Sequence, residues 1–288
     1  MDDLLVVYIG GGEPFLRTDL PEIVEIFSRN NNLRVVSIPT NAFLPIIMLP
    51  SIERMCLKSP NTNIHINISI DDIGKPHEVF RKVPGGWDKL LQTMNGIKEL
   101  KKKYSNLSLG CNATFHHFNQ DRFKEIYLHM RDELKPDSIN INLVRGTPKN
   151  PECKDIDIAK YREVLSMLQQ DLRKSRLGVT ASSFQSIINQ NQARAKELIN
   201  ETYVKKQAQI ECTAGRLAAV IYPTGDVYPC ELLEGKENKI GNLREANYDM
   251  RALLFSEKGR HLAKWIVDTK CFCTHECFMS LNVMFNPK

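Results

Sequence analysis

The sequence predicts an α/β fold: a parallel sheet with helical crossovers, followed by a small cysteine-rich α+β domain. Three observations predict it. Strand-like and helix-like patterns alternate regularly from Leu4 to Arg145, the mark of successive βα units. Several of those strands alternate apolar and polar residues. Five of the eight cysteines crowd into the stretch from Cys212 to Cys277.

Taken in order, "LLVVY" opens the first strand, at 4–9, and runs directly into "GGGEPF". Further strands are expected at 33–38, 64–70, 107–115 and 138–144. Helices are expected between them at 20–29, 44–56, 86–104 and 121–134. "IHINISID" sets Ile64, Ile66, Ile68 and Ile70 against His65, Asn67, Ser69 and Asp71. "LSLGCNATF" and "SININLV" repeat the pattern. Strands of a parallel sheet covered on both faces read instead as continuous apolar runs. A curved sheet with helices outside and a polar cavity inside accounts for these strands together. An open, solvated sheet face is the simpler alternative.

"GTPKNPECKD" after Arg145 is rich in turn formers and reads as a linker. Ile158, Tyr161, Leu165, Leu168 and Leu172 then fall at helical spacing. A second helix is expected at 182–207. The domains expected are 1–146, a helical linker region at 147–210, and a cysteine-rich domain at 211–288.

Composition bounds the function. The chain is 42% hydrophobic and 25% charged with a net charge of +5 over 288 residues, an ordinary globular balance. Lys101–Lys103 is its one dense basic run and sits at an expected helix end, where the dipole favours cations. Nucleic acid is therefore not an expected partner. No apolar run approaches the ~18 residues of a membrane span, and no signal peptide opens the chain. A cytoplasmic location is expected. There, clustered cysteines are more often metal ligands than disulfides. Cys56, Cys111 and Cys153 stand apart and read as buried small residues.

Glycines after a strand let backbone N–H groups approach a ligand with no Cβ in the way. "GGGEPFLRTDL" lacks the ending of a P-loop and the spacing of a dinucleotide fingerprint. Its carboxylate, Glu13, suits an ammonium group rather than a phosphate. A tight βα turn would explain the glycines equally well. In the tail, "PTGDVYPC" places a Thr-Gly-Asp hairpin turn before Cys230. Cys212, Cys230, Cys271, Cys273 and Cys277, with His275 among them, could hold an iron–sulfur cluster or a structural zinc.

These motifs in succession resemble the radical S-adenosylmethionine (SAM) family. "GGGEP" resembles its GGEP motif, "PTNA" at Pro39–Ala42 its TNG stretch, and "SIDD" at Ser69–Asp72 its fourth-strand region in the peptide-modifying branch. The tail, from "CTAGRLAAVIYPTGDVYPC" to "CFCTHEC", resembles a SPASM or twitch extension. The resemblance implies an incomplete parallel (β/α) barrel of radical SAM type, with about five strands present, before a SPASM/twitch domain. It implies SAM contacts from Gly10, Gly11, Gly12, Glu13, Pro14, Thr40 and Asn41, and further cofactor or substrate contacts from Ser69, Asn112 and Arg145. It implies an auxiliary 4Fe-4S cluster on Cys212, Cys230, Cys273 and Cys277, with Cys271 an alternate ligand or neighbour. One cluster is expected rather than two. The family's partners would be a peptide or protein substrate and an electron donor such as a flavodoxin or ferredoxin. Its chemistry is cleavage of SAM to a 5′-deoxyadenosyl radical.

The sequence departs from the family at one point. No CxxxCxxC, the motif that supplies the SAM-cleaving cluster, occurs in it, and only nine residues precede Gly10. The expectation is an N-terminally truncated radical SAM protein, not competent to cleave SAM alone, with weak or absent SAM binding. The alternative is a non-catalytic peptide- or metal-binding paralogue whose tail holds zinc or iron–sulfur.

Overall fold

A computed structural model describes residues 4–174 and 183–286. The chain divides into two compact units, one of Asp2–Val144 with Asn150–Val179, the other of Arg145–Lys149 with Thr180–Lys288.

The first unit is built on five parallel strands in spatial order β1 (Val6–Tyr8), β2 (Val35–Thr40), β3 (Asn63–Ser69), β4 (Leu107–Phe115) and β5 (Ser138–Leu143). Each connection is a helical crossover, because a parallel partner cannot be reached by a tight hairpin. The sheet is the half-barrel that the sequence implied. Its crossovers are α1 (Leu20–Asn30), α2 (Pro45–Lys58), α3 (Lys75–Arg81), α4 (Gly86–Lys103) and α5 (Phe123–His129), the last extended by a π-turn at Met130–Leu134. The sequence pattern does not show α3. Pro76 stands near the helix start, where its missing N–H costs nothing. α6 (Ile158–Arg173) starts at Asp157, whose side chain accepts from the Ala159 N–H at 2.8 Å.

The alternating strands bury their apolar face completely. Ile64, Ile66, Ile68, Ile70, Cys111, Ala113, Phe115 and Ile141 are all fully buried, each large one worth about 1.5–3 kcal/mol relative to exposure. Phe115 packs edge-on against Phe123 and against Tyr161 of α6, at ring distances of 5.0 and 5.4 Å. Cys56 and Cys111 belong to this core and Cys153 is half-buried.

The second unit contains α7 (Ser183–Lys205), a three-stranded antiparallel sheet of β6 (Val220–Ile221), β7 (Asp226–Tyr228) and β8 (Gly241–Asn242), and helices α8 (Met250–Leu254), α9 (Glu257–Asp268) and α10 (Glu276–Phe285). Residue 182, the expected start of the second helix, lies outside the described residues. The expected hairpin turn joins β6 to β7. Gly225 adopts φ +89°, and its N–H donates to the Tyr222 carbonyl at 2.8 Å. Two small apolar clusters hold the unit. One gathers Ala214, Cys230, Ile266 and Phe278, and the other Val227, Ile240, Met250 and Leu262.

Candidate cluster site and polar sheet face

In the first unit the expected residues gather where the strands end. Glu13 caps a 3-10 turn at Pro14–Leu16 and accepts from the Phe15 N–H at 3.2 Å. The same oxygen accepts from the Thr40 hydroxyl at 2.8 Å, and the other accepts from the Asn41 N–H at 2.9 Å. Thr40 is buried, and its oxygen accepts in turn from the Ala42 N–H at 3.0 Å. Ala42 holds φ +62°, the left-handed conformation that glycine adopts freely in the TNG pattern. Pro14 is buried. Glu13 is thus first a strut between the glycine turn and the end of β2. A carboxylate offers about four acceptor sites, so one remains for a ligand. Gly10, Gly11 and Gly12 are exposed, with open space where a Cβ would project, and Gly11 has φ +132°. Their backbone is open to a ligand.

Ser69, Asn112 and Asn140 are register partners across β3, β4 and β5. All three are half-buried, on the face opposite the isoleucines. Asn142 donates to the Asn112 side-chain oxygen at 2.9 Å, and its own oxygen accepts from Asn140 at 3.2 Å. Ser108 links His65 and Asn63 at 2.9 and 2.7 Å. Gly110 lies between His65 and Asn67, where a Cβ would come within 2.7 Å of the imidazole Nε2. These groups form two hydrogen-bonded clusters on the polar face of the sheet.

A buried polar group that sequence reasoning missed lies just beyond β3 and β4. Asp71 pairs with Arg81 at 2.5 Å, its N–H donates to His77 Nδ1 at 3.2 Å, and its carbonyl accepts from Asn119 at 2.9 Å. Burial pushes His77 down to about 4. His116 stacks on Phe80 at 4.5 Å. Asp71 and Asp72 in "SIDD" were the only signal, and Asp72 pairs with Arg122 at 2.8 Å.

The second unit holds the cysteines. Cys212, Cys230, Cys271 and Cys273 line one cavity of about 160 Å³, together with Ala214, Ile266, His275 and Phe278. Each thiol is delivered by a different local device. Cys212 is set by its neighbour Thr213, whose N–H and hydroxyl both donate to the buried Asn282 oxygen at 2.8 Å. Cys230 follows the Gly225 hairpin. Cys271 follows Lys270, which ends α9 in the left-handed region at φ +50°. The Cys271 N–H donates to the Ile266 carbonyl and the Lys270 N–H to that of Val267, both at 3.0 Å, which is a Schellman closure. Cys273 accepts from the His275 N–H at 3.4 Å. Burial pushes the Cys230, Cys271 and Cys273 thiols up to about 11.

All the cysteines described are free. Among the described residues, no three His, Cys, Asp or Glu side chains converge closely enough to hold a single ion. The thiols surround a space rather than a point. That fits a multi-iron cluster, which takes one thiolate at each of several irons, better than one tetrahedral zinc with every donor about 2.0–2.3 Å away.

Cys277 is placed differently. It is exposed on the first turn of α10 and does not line the cavity. Its electrostatic neighbours are Arg145, Glu231 and Lys196. Arg145 belongs to this second unit and not to the strand-end group. It also lies near Glu231 and Cys273.

Known proteins resemble the chain both in its tail and in its fold. Residues 212–277 match SPASM, an iron-sulfur cluster-binding domain. The solved structure "Native anSMEcpe with bound AdoMet" (AdoMet is SAM) superimposes with a TM-score of 0.60 at 17% identity, over 91% of this chain and 69% of that one. The chain carries a SPASM domain and shares the fold of that AdoMet-bound structure. The same fold matches "Native anSMEcpe with bound AdoMet and Kp18Cys peptide" with a TM-score of 0.58 at 15% identity, over 91% of this chain and 70% of that one. An Fe-coproporphyrin III synthase of Methanosarcina barkeri is 22% identical over 170 residues, which are 59% of this chain and 40% of that protein. The chain therefore spans less than half of that curated relative. No helix among its described residues is long and apolar enough to cross a membrane.

Proposed function

We propose that this chain forms the SAM-facing sheet and the auxiliary-cluster domain of an enzyme that modifies a peptide or protein. The observation that carries the reading is the convergence of Cys212, Cys230, Cys271 and Cys273 on one cavity within the SPASM match. These residues would hold one 4Fe-4S cluster, and zinc is the poorer fit. When bound, the cluster supplies one-electron transfer, with a flavodoxin or ferredoxin as the fitting donor. The protein's part is to exclude water with Ile266 and Phe278, and to hold the thiols in place before the metal arrives.

In the first unit, the exposed Gly10–Gly12 backbone and the one free acceptor site of Glu13 suit the amino group of SAM. Ser69, Asn112 and Asn140 offer amide and hydroxyl partners suited to a peptide backbone or a ribose. The peptide class is supported by the peptide in the anSMEcpe complex. The 288-residue sequence has no CxxxCxxC, so this chain by itself binds SAM weakly and does not cleave it.

Anaerobic reconstitution of the chain with iron and sulfide tests the reading. The expected result is broad absorbance near 400 nm and about four irons per chain, the content of one 4Fe-4S cluster. Stoichiometric zinc with no iron, from an iron-replete preparation, would overturn it.

A further inference from the structure

His275 is 1% exposed and lines the cysteine cavity. Its Nε2 lies 2.8 Å from the Glu231 carboxylate. An ionised carboxylate only accepts, so Nε2 carries the proton and donates. In the neutral ring, Nδ1 then keeps its lone pair. Nδ1 is buried and has no hydrogen-bond partner. It does not cap α10 either, although His275 stands at the N-cap position. An orphaned acceptor this deep is destabilising unless something satisfies it. A bare lone pair cannot donate to sulfur, but it can coordinate a metal. Metal-bound histidines characteristically give their other N–H to a carboxylate, the relation found between His275 and Glu231.

We propose that His275 is a metal ligand through Nδ1, so that the tail holds a mixed cysteine–histidine centre with Glu231 as its orienting partner. The proposal rests on the iron reading above. Five donors then surround the cavity, four thiols and one imidazole. A cluster with four ligand positions leaves one of the thiols dispensable. Cys277, outside the cavity, is not a ligand.

The test is Mössbauer spectroscopy and iron analysis of the full chain reconstituted with ⁵⁷Fe and sulfide. The wild type is compared with His275→Ala, His275→Cys and Glu231→Gln. The wild type is expected to show one iron site distinct from the rest. His275→Cys should keep its iron and lose that distinct site, because every position is then thiolate. Glu231→Gln should weaken iron retention about tenfold, as orienting partners of metal-bound histidine typically do. If His275→Ala does not fold, His275→Cys decides. Equivalent all-thiolate irons in the wild type, or a spectrum unchanged in His275→Cys, would overturn the proposal while leaving the iron reading intact. A wild type that takes up no iron would overturn both.

Discussion

Glu13 accepts a hydrogen bond from Thr40 at 2.8 Å, tying the glycine turn after β1 to the last residue of β2. With the Asn41 and Phe15 amides it forms a three-donor clamp on one carboxylate. Removing the carboxylate leaves the buried Thr40 hydroxyl with only the Met48 sulfur, 3.7 Å away, to accept its proton. Glu13→Ala is expected to lower stability by about 1–3 kcal/mol, read as a shift in the urea midpoint. Thr40→Val should reproduce part of that loss, and Thr40→Ser should not. An unchanged midpoint in Glu13→Ala would mean that the clamp does not hold the turn.

The cysteine arrangement separates two ligand sets. The family resemblance favours Cys277 over Cys271, whereas the cavity contains Cys271 and omits Cys277. Cys277→Ala is expected to keep its full iron content after reconstitution. Cys230→Ala, at the end of the hairpin, should lose most of it. The reverse outcome would show that the cysteines rearrange around the metal.

Buried histidines make the first unit sensitive to acid. His77 is pushed down to about 4 by burial, and it accepts the Asp71 N–H on the nitrogen that a proton would occupy. Its folded pKa lies below its unfolded value of 6.5. The stability it contributes is therefore complete above that value and is lost as pH falls towards about 4. The full effect is on the order of 3 kcal/mol. His65 and His116 shift in the same direction, also through burial. Melting temperature should fall between pH of about 7 and about 5, and His77→Asn should flatten that slope. An equal slope in both proteins would sink the assignment to His77.

SAM turnover gives a further contrast. Reductive cleavage needs an iron with an open position, which three thiolates leave vacant and four protein ligands do not. The reconstituted chain with dithionite and SAM should form no 5′-deoxyadenosine above a cluster-free control. Formation above that level would show that the tail centre has an open iron. A longer polypeptide that adds a CxxxCxxC upstream should gain the activity.

The order of βα units, the division of the strands into buried and polar faces, and the crowding of cysteines were all legible in the sequence. Each is a local pattern with a fixed period or a short span, and burial of one face enforces it. Strand ends shifted by a residue or two, and α3 was missed because seven residues are too short to show a helical period. What the tertiary structure alone decided are the pairings between distant residues. Glu13 meets Thr40 only when β1 and β2 lie side by side. The four thiols share a cavity only through the Gly225 hairpin, the left-handed Lys270 and the Thr213–Asn282 anchor. Cys277 is close to Cys273 in sequence, yet α10 begins between them and carries Cys277 out of the cavity lining. His275 and Glu231 are 44 residues apart, and no periodicity links them. Convergence of this kind depends on where each turn sends the chain, which short-range pattern does not encode.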